Sequence, residues 1–156
     1  MSPSDDPFRD DVYRAEDEAL PDGGRRFTRF VQVEQLVDDI VMSQWWSEVF
    51  PDAPIEVTVK RRSRGATFSA AAVDSAKDAA CLWIRDGSWN LVTVLHELAH
   101  MASGGGSGKD PSGPHGSDFV SALCELWREY LGFHAFGALQ SALETRGVPL
   151  RRDRRP

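Results

Sequence analysis

Residues 95–101, L-H-E-L-A-H-M, constrain the fold of this chain more than any other stretch. His96 and His100 are four positions apart, and in an α-helix side chains with that spacing project from one face. The motif therefore predicts a helix, roughly Trp89–Ser103, that packs against a sheet while its two histidines face a common point. Apolar residues around the motif support this prediction: Val92, Val94, Leu95, Leu98, Ala99 and Ala102.

The H-E-x-x-H spacing also predicts a chemistry. Two imidazoles one helical turn apart can bind one Zn²⁺ at about 2.0–2.1 Å. Glu97 lies one residue further round the helix, where it can reach a water on that metal without binding the metal itself, as a general base does. The alternative is that these polar side chains only cover a solvated helix face, but such a face does not need apolar neighbours.

A catalytic zinc site needs a third protein ligand and one open position. We predict that His115, in P-H-G-S-D-F (114–119), is that ligand. Asp118 is the alternative third ligand, and its carboxylate can instead hydrogen-bond a ligand imidazole or stabilise the start of the next helix. His134 lies among aromatic residues and is interpreted as structural.

The pattern of the whole chain predicts a single α+β domain. A period near four indicates helices, and a period of two indicates strands. Short connections favour antiparallel pairing in the sheet. Ser88 is the predicted N-cap of the motif helix. The predicted helices are Val12–Leu20, Val33–Trp45, Trp89–Ser103, Gly116–Leu131 and Phe133–Arg146, and the predicted strands are 55–60, 66–73 and 79–85, with Ile55, Val57 and Val59 facing the core.

Charge and composition suggest where the domain begins and ends. Residues 1–25 are predicted to be an acidic, partly flexible segment, residues 26–147 the domain, and residues 148–156 a basic flexible tail. Residues 104–114 are rich in glycine, serine and proline, which predicts a mobile loop that serves as a lid or as a linker.

Composition also excludes some classes of function. The net charge of −6 argues against a general polyanion binder, because neutralising phosphates requires basic surface. The arginines at 61, 62 and 64 and those of the tail (151, 152, 154 and 155) give only weak support for a nucleic-acid partner.

Cysteine usage and hydropathy bear on the compartment. Cys81 and Cys124 have no C-x-x-C partner and are interpreted as core residues in a reducing compartment, with a disulfide between them left open. The start of the chain lacks the apolar stretch of a signal peptide, and no apolar run has membrane-spanning length. A cytoplasmic protein is therefore expected.

The pairing of H-E-L-A-H (His96–His100) with H-G-S-D-F (His115–Phe119) resembles the SprT/Spartan-like and related WLM-type zincin metallopeptidases. The predicted order of helix, three strands and further helices matches their minimal domain, and the resemblance covers about residues 55–131. With R-D-D-V-Y-R-A-E (Arg9–Glu16), the chain is also similar to an actinobacterial family of small metallohydrolases.

The resemblance implies a minimal zincin-like domain, in which a helix packs on a small three-stranded sheet, followed by the H-E-x-x-H helix and C-terminal helices. It implies that His96, His100 and His115 bind zinc, that Glu97 is the catalytic base, and that the substrate is a peptide or protein. Spartan-like enzymes act on proteins crosslinked to DNA, but this chain is acidic and has no second Cys/His cluster, which argues against such substrates.

Two details of a zincin mechanism stay open at this point. Arg128 and Tyr130 are candidates for stabilising the oxyanion, and either 66–73 or 79–85 is expected to be the edge strand that holds an extended substrate. Two other functions compete with hydrolysis: a non-catalytic zinc-binding interaction module, and a small adaptor that binds nucleic acid.

Overall fold

A computed structural model describes residues 6–74, 76–104 and 110–150. This part of the chain is α+β, with six helices and a mixed three-stranded sheet. The chain divides into two compact units, one of Met1–Asp22 with Gly106–Pro156 and one of Gly23–Gly105. The elements in chain order are α1 Arg9–Ala19, α2 Phe30–Val41, α3 Gln44–Val49, β1 Glu56–Arg62, β2 Ala70–Asp74, β3 Ala79–Arg85, α4 Leu91–Ala102, α5 Ser117–Tyr130 and α6 Phe133–Thr145.

The sheet lies in the second unit and has the order β1-β3-β2. β2 runs antiparallel to β3, as predicted, but β1 runs parallel to β3, so the prediction of antiparallel pairing is wrong for that pair. β1 and β2 lie on opposite sides of β3, so the segment 63–69 that joins them spans two strand spacings, about 9–10 Å. Because β2 then turns back into β3, β1 and β3 point the same way.

Burial along the strands follows the predicted alternation only in part. In β3, Leu82 and Ile84 are fully buried between half-buried neighbours. In β1, Val57 and Val59 are half-buried, but Ile55 precedes the strand and is 61% exposed. The predicted core position of Ile55 is therefore wrong, because β1 and its pairing with β3 begin one residue later, at Glu56.

The predicted helix Val33–Trp45 is in fact two helices. α2 ends at Val41, and Ser43 caps α3 by accepting a hydrogen bond from the backbone N–H of Trp46 at 3.1 Å. Because α3 starts anew after this cap, its buried face does not continue the buried face of α2. The fully buried tryptophan of α3 is therefore Trp46 and not Trp45. Periodicity alone does not reveal the break, since the apolar spacing continues across it.

Helix α4 carries the H-E-L-A-H motif, and its extent confirms the prediction. Its N-cap is Asn90, whose side-chain oxygen accepts a hydrogen bond from the Thr93 backbone N–H at 2.9 Å. The predicted cap, Ser88, instead accepts a hydrogen bond from the Arg85 guanidinium at 3.1 Å. α4 contacts β2 and β3 and buries an apolar face that includes Leu95 and Leu98, so the motif helix is fixed on the sheet.

The other unit is helical. α1 and α5 both contact α6, around buried side chains such as Val12, Leu126 and Leu143. α5 and α6 lie within one residue of their predicted ends, and α1 begins three residues before its predicted start.

Some predictions concern parts of the chain that the structure does not describe. The arginine tail from 151 onward and residues 105–109 of the glycine-rich loop lie outside the described residues. The boundaries 1–25, 26–147 and 148–156 stay predictions. In the part of the chain that is described, none of the helices combines the length and the apolar character needed to cross a bilayer.

Candidate metal centre

The first two histidines of the site are set by helix α4. The His96 and His100 rings are 5.0 Å apart between centroids and are inclined at 69°, as expected for side chains one turn apart. His96 is 3% exposed and Glu97 is 2% exposed, while His100 is half-buried. A solvated helix face is therefore excluded for His96 and Glu97. Removing these polar groups from water costs free energy unless hydrogen bonds, an ion pair or a metal ion replace the water.

The third histidine precedes α5 in a segment held by side-chain hydrogen bonds. The Asp110 carboxylate accepts hydrogen bonds from the backbone N–H groups of Ser112 at 2.8 Å and Asp118 at 2.9 Å. The Ser112 hydroxyl accepts another from the Ser117 backbone N–H at 3.0 Å. These bonds satisfy N–H groups at the start of α5 and fix the backbone on both sides of His115. This part of the predicted mobile loop is thus a structured turn.

Gly116 closes this turn. A Cβ atom at this position would lie 2.8 Å from the carbonyl carbon and the Cβ of Ser112 and would overlap the Ser112 hydroxyl. Only glycine therefore allows the backbone to approach Ser112 so closely. Its neighbour His115 depends on the same turn for its position.

We expect Gly116→Ala to lower the free energy of unfolding by about 1–3 kcal/mol, because the added methyl group forces the turn apart. The matched control is Gly137→Ala in α6, where an added Cβ meets nothing within 4 Å. That change should be neutral or slightly stabilising, since alanine is the better helix former. Thermal unfolding of the metal-free proteins compares the two, and equal melting temperatures would contradict the role assigned to Gly116.

The three predicted metal ligands lie together. One ligand atom from each of His96, His100 and His115 lies within 4.8 Å of the other two. A tetrahedral zinc with bonds of about 2.0–2.1 Å holds its nitrogens roughly 3.4 Å apart, which is shorter than the 4.8 Å limit of this cluster. The cluster could hold a metal ion, and the assignment of these histidines as its ligands stays a prediction.

The chemistry of the donors fits zinc, since imidazole nitrogens are among its usual ligands. Both cysteines are free, so the disulfide left open above is absent. Burial raises the pKa of the Cys124 thiol to about 12, with a smaller contribution from the nearby Glu125 carboxylate. Cys124 therefore stays protonated at neutral pH and offers no thiolate to a metal.

A carboxylate contacts the third histidine, but it is not the one considered in the sequence. Asp6 Oδ2 lies 2.9 Å from His115 Nδ1, and Asp6 Oδ1 accepts a hydrogen bond from the His115 backbone N–H at 3.3 Å. Nothing in the sequence pointed to Asp6, because 109 residues separate it from His115 and several acids surround it. Asp118 lies in the first turn of α5, where its charge complements the helix dipole. That its carboxylate accepts a hydrogen bond from a ligand imidazole stays a prediction.

Two aromatic rings also lie against His115. The Phe119 ring is 4.8 Å away between centroids in an edge-on arrangement, and the Tyr13 ring is 5.7 Å away. Phe119 belongs to the H-G-S-D-F motif, whereas Tyr13 comes from α1 and was not singled out in the sequence. Both rings restrict the rotation of the His115 imidazole. His115 is 6% exposed.

The two candidates for oxyanion stabilisation are poorly placed. Arg128 and Tyr130 lie in the last turn of α5, and this 14-residue helix spans roughly 20 Å from its His115 end. Arg128 is exposed, and its guanidinium lies over the Phe136 ring at 6.0 Å. Their distance from His115 therefore argues against a role for either residue in stabilising the oxyanion. The sequence suggested them only because their side chains can donate hydrogen bonds.

The strand order decides between the two candidate substrate strands. β3 (residues 79–85) is paired on both sides, so it cannot add an extended peptide. β2, which overlaps the predicted strand 66–73, lies at the edge of the sheet and contacts α4. The edge strand beside the motif helix is therefore β2.

The basic turn considered as a phosphate contact is partly neutralised. Arg61 forms a salt bridge with Asp86 at 3.1 Å and lies over the Trp89 ring at 5.2 Å. The hydrogen bond from Arg61 lowers the pKa of the Asp86 carboxyl, so this acid stays charged. These contacts favour a structural role for Arg61.

Comparison of the chain with protein-family models, with curated proteins and with solved structures finds no match in any of the three. The resemblance to zincin metallopeptidases therefore rests on the two motifs and on the order of the elements. The three clustered histidines and the buried glutamate beside them are the features that indicate a function.

Proposed function

We propose that this protein is a zinc-dependent hydrolase, most simply a peptidase, that binds its metal through His96, His100 and His115 and uses Glu97 as general base. The observation that carries the proposal is the cluster of three imidazoles with a buried glutamate adjacent to one of them in α4. The zincin resemblance supports the same assignment of roles.

The number of ligands favours a catalytic site over a structural one. Structural zinc sites are closed by four protein ligands, whereas catalytic sites have three and leave a position open. The cluster formed by the described residues offers three imidazoles. When bound there, zinc supplies Lewis-acid chemistry, because it acidifies water and polarises a carbonyl group.

Glu97 then has a defined task. Its carboxylate accepts a proton from the attacking water and delivers the proton to the leaving amine as the peptide bond breaks. Its position next to His96 brings it near the metal, and its burial strengthens its electrostatic interactions. The metal ligands carry no charge of their own, so Glu97 supplies a negative charge close to the cation.

An extended polypeptide is the substrate that the sheet accommodates best. β2 has an open edge whose backbone can pair with a peptide strand, and small side chains at Ala70, Ala71 and Ala72 leave room for one. Backbone pairing gives affinity without a strong demand on the substrate sequence. This arrangement favours unfolded or flexible protein segments over small molecules.

The direct test is proteolysis of a denatured-protein library, with the products identified by mass spectrometry. We expect zinc-loaded protein to cleave the library, chelation to stop cleavage, and added zinc to restore it. Protein that binds zinc but cleaves no peptide would contradict the proposal and favour the non-catalytic zinc-binding interaction module.

A further inference from the structure

Asp6 contacts His115, and the proposed reaction gives this contact no role. Asp6 precedes α1, and its carboxylate contacts His115 at two points, the ring Nδ1 at 2.9 Å and the backbone N–H at 3.3 Å. The Asp6 side chain is 17% exposed and that of His115 is 7% exposed, so water competes little for this contact.

The contact determines which ring nitrogen of His115 can bind a metal. An ionised carboxylate only accepts hydrogen bonds, so His115 Nδ1 must carry the proton and donate it to Asp6. In a neutral imidazole the other nitrogen, Nε2, then has the lone pair that a metal requires. Asp6 therefore selects one tautomer of His115.

The second contact restricts the orientation of the ring. One oxygen of Asp6 holds the backbone of His115 while the other holds its ring, so rotation about the side-chain bonds would break at least one bond. A carboxylate that donates electron density through a hydrogen bond also makes the imidazole a better ligand. Both effects act on metal affinity and neither requires Asp6 to touch the substrate.

We infer that Asp6 is a positioning residue for the metal centre, which acts through His115 by fixing its Nδ1–H tautomer and ring orientation. At least one acid of the predicted flexible segment 1–25 thus has a specific role at the site. The inference rests on the metal-binding part of the proposed function and is independent of whether the protein hydrolyses peptides.

The test is the zinc affinity of full-length variants, measured by competition with a chromophoric chelator. Asp6→Ala should bind zinc about 10–100-fold more weakly than wild type, the usual effect of losing a hydrogen-bond partner of a ligand histidine. Asp6→Asn should lie between the two, because its amide oxygen still accepts from Nδ1–H but carries no charge. The matched control is Asp17→Asn, which removes the same charge from an exposed position of α1 and should leave the affinity unchanged.

Two further measurements separate positioning from folding. Metal-free Asp6→Asn should melt close to metal-free wild type, because asparagine has nearly the same shape and its amide oxygen still accepts a hydrogen bond from His115. In zinc-loaded wild type, long-range ¹H–¹⁵N spectra should show His115 protonated at Nδ1 and coordinated through Nε2.

The outcomes are distinct. Wild-type affinity in Asp6→Ala, equal losses in the Asp6 and Asp17 variants, or coordination of His115 through Nδ1 would each overturn the inference while leaving the proposed hydrolase standing. Absence of zinc binding in wild type would overturn both. Normal zinc affinity without any hydrolysis would overturn only the proposed function.

Discussion

Replacing Glu97 by Gln is expected to lower the rate of peptide hydrolysis by about 10²–10⁴-fold, the contribution typical of a general acid–base residue. Glutamine has nearly the same shape as glutamate but cannot accept the proton of the attacking water. Because Glu97 is not one of the three clustered ligands, the variant should still bind one equivalent of zinc. The measurement is the initial cleavage rate of zinc-loaded protein, with the zinc content determined on the same sample.

The matched control for this change is Glu34→Gln, at an exposed position of α2. It removes the same charge and should keep the full cleavage rate. Retained turnover in Glu97→Gln, with zinc bound, would show that another group accepts the proton. Loss of zinc together with activity would instead make Glu97 part of the metal-binding set.

Replacing His115 by Ala is expected to weaken zinc binding more than about 100-fold, since losing a ligand costs more than losing a ligand's hydrogen-bond partner. In this variant only the two histidines of α4 remain as ligands, so the zinc is bound more weakly. Competition with a chelator measures the loss. Hydrolysis should fall with the zinc content, because the metal supplies the Lewis acid.

The control for that variant is His134→Ala. His134 is exposed on α6 and was interpreted as structural, so its removal should leave the zinc affinity unchanged. Since His115 contacts two aromatic rings, the metal-free variant should also be compared with wild type by thermal unfolding. Equal zinc affinities for the His115 and His134 variants would contradict the three-histidine centre.

The elements that the sequence predicts well are those with a strong local pattern. The apolar residues around H-E-L-A-H determine α4, and β3 has its predicted bounds because a run of apolar residues lies between two turns. The clustering of His96, His100 and His115 was also predictable. The i, i+4 spacing requires two histidines to share a face, and few other histidines remain to supply a third.

What the sequence did not reveal depends on contacts between distant segments. The parallel pairing of β1 with β3 follows from where the chain crosses the sheet, which local periodicity does not contain. The break at Ser43 depends on a cap that interrupts an otherwise continuous apolar pattern. Asp6 is one acid among many near the start of the chain, and only the folded backbone distinguishes it from its neighbours.

The zinc content of the wild-type protein tests the central claim most directly. The protein should be free of any polyhistidine tag, since such a tag binds zinc itself, and it should be loaded with zinc at neutral pH and desalted before elemental analysis. The three-histidine centre predicts about one zinc per chain, removable by a strong chelator and restored by added zinc. Protein that retains no zinc after this treatment would contradict the account and leave His96 and His100 as structural residues of α4.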